Sequence, residues 1–440
     1  MQLVPGVTGL SSGNAPAQAT RFPERRVVGL LFALIVTMML TLSGSVLWDL
    51  GLNYSGVTGA VASKIHPASY LAFVTLGLLV IARRNPASFF VSLLTHRAGT
   101  LVFLAATALL GLVIVLDERK GIATVFDTYL LAIALSLIVA ELNGRQLGRV
   151  EGIIHLLLAA NALLALVEYA MDYRVFPNRY EGVEFDWDRR STGLLGHPLE
   201  AAQMTGSYLM VLIAGGGPSM PKLLRLPAIL LQLSALVPFG GRTALVTALA
   251  LMTLWLGSRM VGLMRGRRFS VPAAAATAAL VPILGLIVGV FASGGFFNIV
   301  LDRFTSDGGS ASTRVEMFEV FEYLSWHDIL MGASPDYIDS IRRTHGLEWG
   351  VENPIVRLLL YQGAAITAFL IAGFVMFLLD IARRLRPGAA MPFIFFLVVV
   401  NSYESISNKS IMLGLFVVLL MVMFRPLEEG PQPARGAQSS

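Results

Sequence analysis

Apolar residues occur along this chain in long unbroken runs, separated by short polar stretches. Strict alternation is absent. A helix needs roughly 17–25 apolar residues to cross a bilayer core, or somewhat fewer where polar residues finish it at the interface. Runs that meet this rule fall near 27–47, 67–83, 99–116, 122–140, 150–170, 199–214, 224–238, 243–257, 271–291, 354–379, 390–402 and 410–424. Lipid offers backbone groups no hydrogen-bond partners, so each run is predicted to be a helix. The pattern predicts an all-α polytopic membrane protein with about twelve transmembrane helices. The seventh and eleventh runs are the shortest. A Gly-, Ala-, Ser- and Pro-rich tail covers residues 1–26, helices 1–9 occupy 27–291, and helices 10–12 occupy 354–424. A second tail covers 425–440. Both tails have the composition of disordered segments. The longest polar stretch, 292–353, lies between helices 9 and 10, and 171–198 is the next longest. In the long stretch, Thr313-Arg314-Val315-Glu316 has the form of a capping box, and Ser334-Pro335 that of a helix start. Surface helices are expected there.

Composition agrees. Hydrophobic residues make up 55% of the chain and charged residues 14%, with a mean hydropathy of +0.70. Soluble domains carry roughly 25% charge. The net charge of +5 therefore points to basic loops, not to a nucleic-acid partner. Short connections hold Arg83, Arg84 and Arg97, Arg145 and Arg149, Arg265 to Arg268, and Arg383 to Arg386. The positive-inside rule puts these, and both termini, in the cytoplasm. The two long polar stretches then lie outside. Arg21, Arg25 and Arg26 precede the first run without a small-residue cleavage signal, so that run is expected to be retained. The chain contains no cysteine, which excludes disulfides and thiolate metal sites.

Candidate chemistry gathers at three predicted helix starts, all facing outward. They are preceded by Gly196-His197-Pro198, Gly240-Gly241-Arg242 and Glu352-Asn353-Pro354. Helix N-termini carry free N–H groups and partial positive charge, which suit phosphate. Gly241 lets backbone approach a ligand, and a guanidinium such as Arg242 pairs bidentately with phosphate oxygens. Structural explanations stand beside these. Arg242 could mark the headgroup level, His197 and Asn353 could simply cap helices, and Arg357 could be paired with Glu352 or Glu404. Asp127, Glu168, Gln203 and Gln232 are further polar residues in or near the runs and could line a cavity. Asp186-Trp187-Asp188 has a D-x-D form, best explained as part of a solvated loop.

The segment Arg190-Ser-Thr-Gly-Leu-Leu-Gly-His197-Pro198 resembles the R-x-x-G-x-x-x-H-P-N element of the O-antigen ligase and Wzy-type polymerase family. Gly241-Arg242-Thr243 resembles its G/S-R-T/S element at a helix start. Arg314, the stretch Leu330-Met331-Gly332, and Glu352-Asn353 followed by Gly363 resemble its large loop and the next helix. The resemblance runs over residues 27–424 in order and spacing. It implies a GT-C-like fold in the bacterial inner membrane, with the 292–353 loop in the periplasm. It also implies transfer of a glycan from undecaprenyl pyrophosphate to an acceptor hydroxyl, with no metal and no cofactor. Arg242, Arg314 and Arg190 would contact the pyrophosphate. His197, Gly241, Asn353 and Arg357 would line the substrate cavity. Expected partners are the lipid-linked glycan, membrane lipid and polysaccharide export machinery. Leu199 stands where the family has Asn, and Glu352 where ligases have His. A carboxylate base favours an exopolysaccharide or O-antigen polymerase over a ligase onto lipid A–core, with His345 a rival base. A transporter of lipid-linked oligosaccharide is the alternative from another class. An inverting attack, with Glu352 removing the acceptor proton and the arginines stabilising the leaving pyrophosphate, completes the expectation.

Overall fold

The apolar runs fold as helices because nothing else closes their backbone hydrogen bonds. The computed structural model describes residues 22–56, 58–117, 121–180, 182–185, 188–266, 317–345, 351, 353–403 and 405–426. Numbered among these, the helices are α1 Phe22–Thr41, α2 Gly44–Asp49, α3 Pro67–Ile81, α4 Pro86–Thr95 and α5 Ala98–Leu116. Helix α6 covers Ile122–Val139 and contains a π-helical stretch, Val125–Leu130. Next come α7 Gly144–Met171, α8 Pro198–Ile213, α9 Lys222–Phe239 and α10 Arg242–Met264. After the undescribed stretch follow α11 Trp326–Met331, α12 Pro335–Thr344, α13 Pro354–Ala382, α14 Ala390–Val400 and α15 Met412–Met423. The strands among the described residues form one antiparallel hairpin, β1 Arg179–Tyr180 with β2 Val183–Glu184.

Among the described residues six helices, α5, α6, α7, α9, α10 and α13, are long and apolar enough to cross a membrane, and a bent pair, α3 with α4, makes a seventh candidate. The protein is thus an all-α, multi-pass membrane protein. The shorter helices α8 and α15 are different. Nearly every residue of α8, and every residue of α15, is buried within the protein. Helix α15 is apolar on all sides, which suits the middle of such a bundle, and α8 is buried beside it although it carries Glu200 and Gln203. Around this centre, small residues bring helices close. A Cβ on Gly99 would sit 2.1 Å from Met376 O, and one on Gly373 2.9 Å from Phe103 Cα, so α5 and α13 touch backbone to backbone. Asp380 of α13 accepts from Thr100 N of α5 at 2.9 Å.

The two ends of the bundle differ. At one end Arg83 pairs with Glu141 (2.7 Å), Arg384 donates to His96 O (2.7 Å), and Arg425 pairs with the buried Glu151 (2.5 Å). This is the basic end. The opposite end carries the described residues of 43–66, 172–197, 240–241 and 401–411, joined by the contacts described below.

One difference from the sequence expectation has a plain physical cause. The stretch after Ile81, expected as a loop, turns through 114° into α4. Asn85 caps α4 by accepting from Ser88 N, and Pro86 holds its first position. The expected helix start at Ser334-Pro335 is present, with Ser334 Oγ accepting from Tyr337 N at 3.3 Å. Residues 320–323, however, form a 3-10 turn. The run at 271–291, the capping box at Thr313, and residues 292–316, 346–350 and 352 of the long stretch lie outside the described residues.

Candidate functional site

The Arg190–His197 segment is held by the end of α7. The Glu168 carboxylate, buried there, accepts from the N–H groups of Thr192 (2.9 Å), Gly193 (2.9 Å) and Val175 (3.0 Å). One turn-pair earlier, Asn161 Oδ1 accepts from Leu194 N at 2.9 Å, and Ser191 Oγ donates to Ala165 O at 2.8 Å. Buried N–H groups need partners, and α7 supplies them. Glu168 is therefore a loop anchor. Gln232 donates to Leu158 O and Gln203 accepts from the Tyr403 hydroxyl, and both side chains are buried.

His197 caps α8, its Nδ1 accepting from Glu200 N at 3.4 Å. Burial, aided by the Arg190 charge, lowers its pKa to about 4, so the ring is neutral and suited to capping. Arg190 is engaged by Asp188 through two bonds, Nε to Oδ1 at 2.7 Å and Nη2 to Oδ2 at 2.6 Å. Burial acts to raise the Asp188 pKa, but Arg190 outweighs it and holds the carboxyl below its ordinary value.

The Gly241–Arg242 turn joins this segment. Ser191 N donates to Pro238 O, near the end of α9, at 3.0 Å. Gly240 ends α9 with φ +65°, and a Cβ on Gly241 would lie 2.7 Å from Ala202 Cβ in α8. Only a residue without a side chain lets the α9–α10 turn lie on the start of α8. Arg242, half-buried, is the first residue of α10. Arg190, His197, Gly241 and Arg242 are thus gathered around one helix start.

A second group forms around the start of α13. Asn353 caps it, accepting from Ile355 N (2.9 Å) and Val356 N (3.1 Å). The Arg357 guanidinium lies 5.4 Å from the centre of the Tyr361 ring, a cation–π contact. Tyr361 in turn donates to Asp339 at 3.1 Å, which also accepts from Arg342. His345 is exposed at the end of α12 and stacks on Tyr323, ring centres 4.1 Å apart. A small apolar core of Met317, Val320, Ala333, Ile338, Ile341, Val351, Val356 and Leu360 holds these pieces together. At Gly363 helix α13 breaks, with φ 79° and ψ 163°, and the Leu330-Met331-Gly332 stretch packs into the break. The two glycine elements singled out in the sequence therefore touch. Arg314, Glu352, Asp186 and Glu404 lie outside the described residues.

A third cluster shares the end of the bundle opposite the basic one. Asp127, fully buried at the π-helical stretch, accepts from His66 N (3.1 and 3.0 Å) and from Ser69 Oγ (2.6 Å). Lys409 donates to Tyr54 O and lies 3.7 Å over the Tyr54 ring. Its charge is felt by both Asp127 and Glu200, and Glu200 accepts from Ser410 Oγ at 2.6 Å. Burial lowers the Lys409 pKa to about 8. Of this cluster the sequence flagged only Asp127, as a carboxylate in an apolar run. Glu200, directly after His197-Pro198-Leu199, carried the same signal. Lys409, in a polar loop, carried none.

No protein-family model and no curated protein matches the chain.

Proposed function

We propose that this protein is a membrane glycosyltransferase with about twelve spans that polymerises exopolysaccharide or O-antigen units carried on undecaprenyl pyrophosphate. In this proposal the basic end faces the cytoplasm of a bacterial inner membrane, by the positive-inside rule, and the opposite end faces the periplasm. The observation that carries it is the assembly of the Arg190–His197 segment and the Gly241–Arg242 turn around the start of α8, tied by Ser191 N to Pro238 O. Arg242 and two adjacent helix N-termini on one rim are parts suited to an anionic lipid-linked group. Arg242 is the first contact to the pyrophosphate, joined by Arg314 from the long loop. Arg190, already paired with Asp188, shapes the rim and contributes charge from behind. Glu352 directly precedes the cap of α13 and serves as base toward the acceptor hydroxyl, with attack opposite the leaving group inverting the anomeric centre. A well-aimed donor to the leaving group is worth about 3–4 kcal/mol in such reactions.

The test is direct. Arg242→Ala and Glu352→Gln, each accumulating in the membrane like wild type, should abolish polymer. Wild-type polymer in both variants refutes the proposal. In a deletion strain, single lipid-linked repeat units are expected to build up. Full-length chains on the carrier would instead show a ligase. Lengthening of lipid-linked glycan in detergent, with no sealed vesicle, separates either enzyme from a transporter.

A further inference from the structure

Beside Arg190 lies a polar cleft that the transfer chemistry does not use. It has about 220 Å³ of space and is walled by Tyr173, Arg174, Asn178, Glu184, Asp188 and Arg190 among others. That is smaller than the roughly 300–1,000 Å³ of pockets for drug-sized ligands, and sets the scale of one sugar ring.

The walls are built in advance. On one side the β1–β2 hairpin is fixed by Arg179, which donates to Glu184 Oε1 (2.9 and 2.6 Å) and to Asp49 of α2. Gly182, at the hairpin turn with φ +81°, lies against the Trp48 ring so closely that a Cβ there would come within 2.3 Å of it. On the other side Arg174 Nε donates to Arg190 O (3.4 Å) and its Nη1 to Asp172 (3.3 Å). Thr192, held by Glu168, also lines the cleft.

Charge decides what fits. Both arginines of the cleft are already matched, Arg174 with Asp172 and Arg190 with Asp188. Glu184 adds a third carboxylate, partly offset by Arg179 from outside. Among the described residues that line the cleft an anion would therefore meet carboxylates and arginines already matched, which disfavours phosphate or a uronate here. What the cleft offers is acceptors: the remaining lone pairs of Glu184 and Asp188, and the Asn178 amide, which also donates. Tyr173 and Phe185 add aromatic carbon to the lining. Acceptors beside aromatic side chains suit the hydroxyls and C–H face of a neutral pyranose.

We infer that this cleft is a binding subsite for one neutral sugar residue of the glycan, placed next to the Arg190–His197 segment so that the rest of the glycan runs to the rim at Arg242. The inference deepens the transferase proposal and rests on it for the word glycan, but the binding itself is testable apart from turnover.

Full-length protein in nanodiscs is titrated with methyl glycosides of glucose, galactose and mannose and with methyl glucuronoside, followed by saturation-transfer NMR. At least one neutral glycoside should show transfer, at least about tenfold weaker in Tyr173→Ala and Asn178→Ala, as loss of a stacking face or a hydrogen bond predicts. The glucuronoside should give none. Absence of transfer from every neutral glycoside, an equal signal from the glucuronoside, or signals unchanged in both variants would overturn the subsite. In polymer assays the same two variants should raise KM for the lipid-linked glycan and leave kcat near wild type. If Arg242→Ala leaves polymer intact while glycoside binding is lost on Tyr173→Ala, the transferase proposal fails and the sugar site stands. If polymer is lost in Arg242→Ala but no glycoside binds, only the subsite fails.

Discussion

Replacing Gly363 by alanine should do far more damage than a helix glycine ordinarily permits. Gly363 has φ 79° and ψ 163°, a backbone region essentially reserved for glycine. Forcing a side chain into it costs about 1–3 kcal/mol. The added Cβ would also come 2.4 Å from Gly332 N, 2.4 Å from Leu330 O and 2.5 Å from Met331 C. All three are backbone atoms, so no rotamer change relieves the clash, and overpacking of this kind costs about a further 1–3 kcal/mol. The expected total is about 2–6 kcal/mol, concentrated where α11 meets α13. The internal control is Gly77→Ala. Gly77 lies within α3 with nothing within 4 Å of an added Cβ, so alanine there should be neutral or stabilise by about 0.5–1 kcal/mol. The assay is thermal unfolding of detergent-purified protein followed by size exclusion, with limited proteolysis to locate the lesion. Gly363→Ala should melt several degrees lower and expose new cleavage sites within 326–345, while Gly77→Ala keeps the wild-type pattern. A Gly363→Ala variant that melts with wild type and shows its cleavage pattern would mean the break in α13 is not a built feature.

Two further outcomes follow from buried polar groups near helix ends. His66 caps α3, with Nδ1 accepting from Ala68 N (3.1 Å) and Nε2 donating to Leu42 O (2.8 Å), so it must be neutral; burial lowers its pKa to about 4. A folded-state pKa below the ordinary 6.5 means stability is fully present above pH 6.5 and is lost as pH falls toward 4, by up to about 3 kcal/mol. His66→Asn keeps a capping side chain and should flatten that acid limb; equal losses of stability in both proteins over this range would contradict the assignment. Glu168→Gln turns an amide NH2 toward a backbone donor and should leave at least one buried N–H unpaired, at a cost of about 1–3 kcal/mol; amide exchange in residues 190–196 should accelerate, and unchanged exchange there would refute the anchor role.

The helices were legible because lipid leaves the backbone one solution, so run length alone marks them. Helix α4 was missed although Asn85-Pro86 is an ordinary start signal. Its flanking arginines read equally well as a basic loop. Polar residues inside the runs were visible, but their roles were not. A carboxylate in a span can face a cavity or bind a backbone donor, and only the fold decides. Asp127 accepts from His66, Glu168 from Thr192 and Gly193, and Glu200 from Ser410, each reaching a segment distant in sequence. All three lie within about two turns of a helix end facing the polar loops. They act as staples that fix loops over the bundle mouth, and the sequence separation of each pair hides this from any local pattern. The same logic sorts the arginines. Arg190 is matched by a neighbour two residues away and Arg357 by the ring of Tyr361, four residues on, so both are tied down by local partners. Arg242 opens its helix beside Gly241, where the chain was shaped to let α8 come close. A rim whose loops are stapled by carboxylates and whose glycines bring helix starts together holds its arginines in place before any ligand arrives. For the proposed transfer, that is the condition under which oriented charge would stabilise a leaving group instead of being spent on ordering the site.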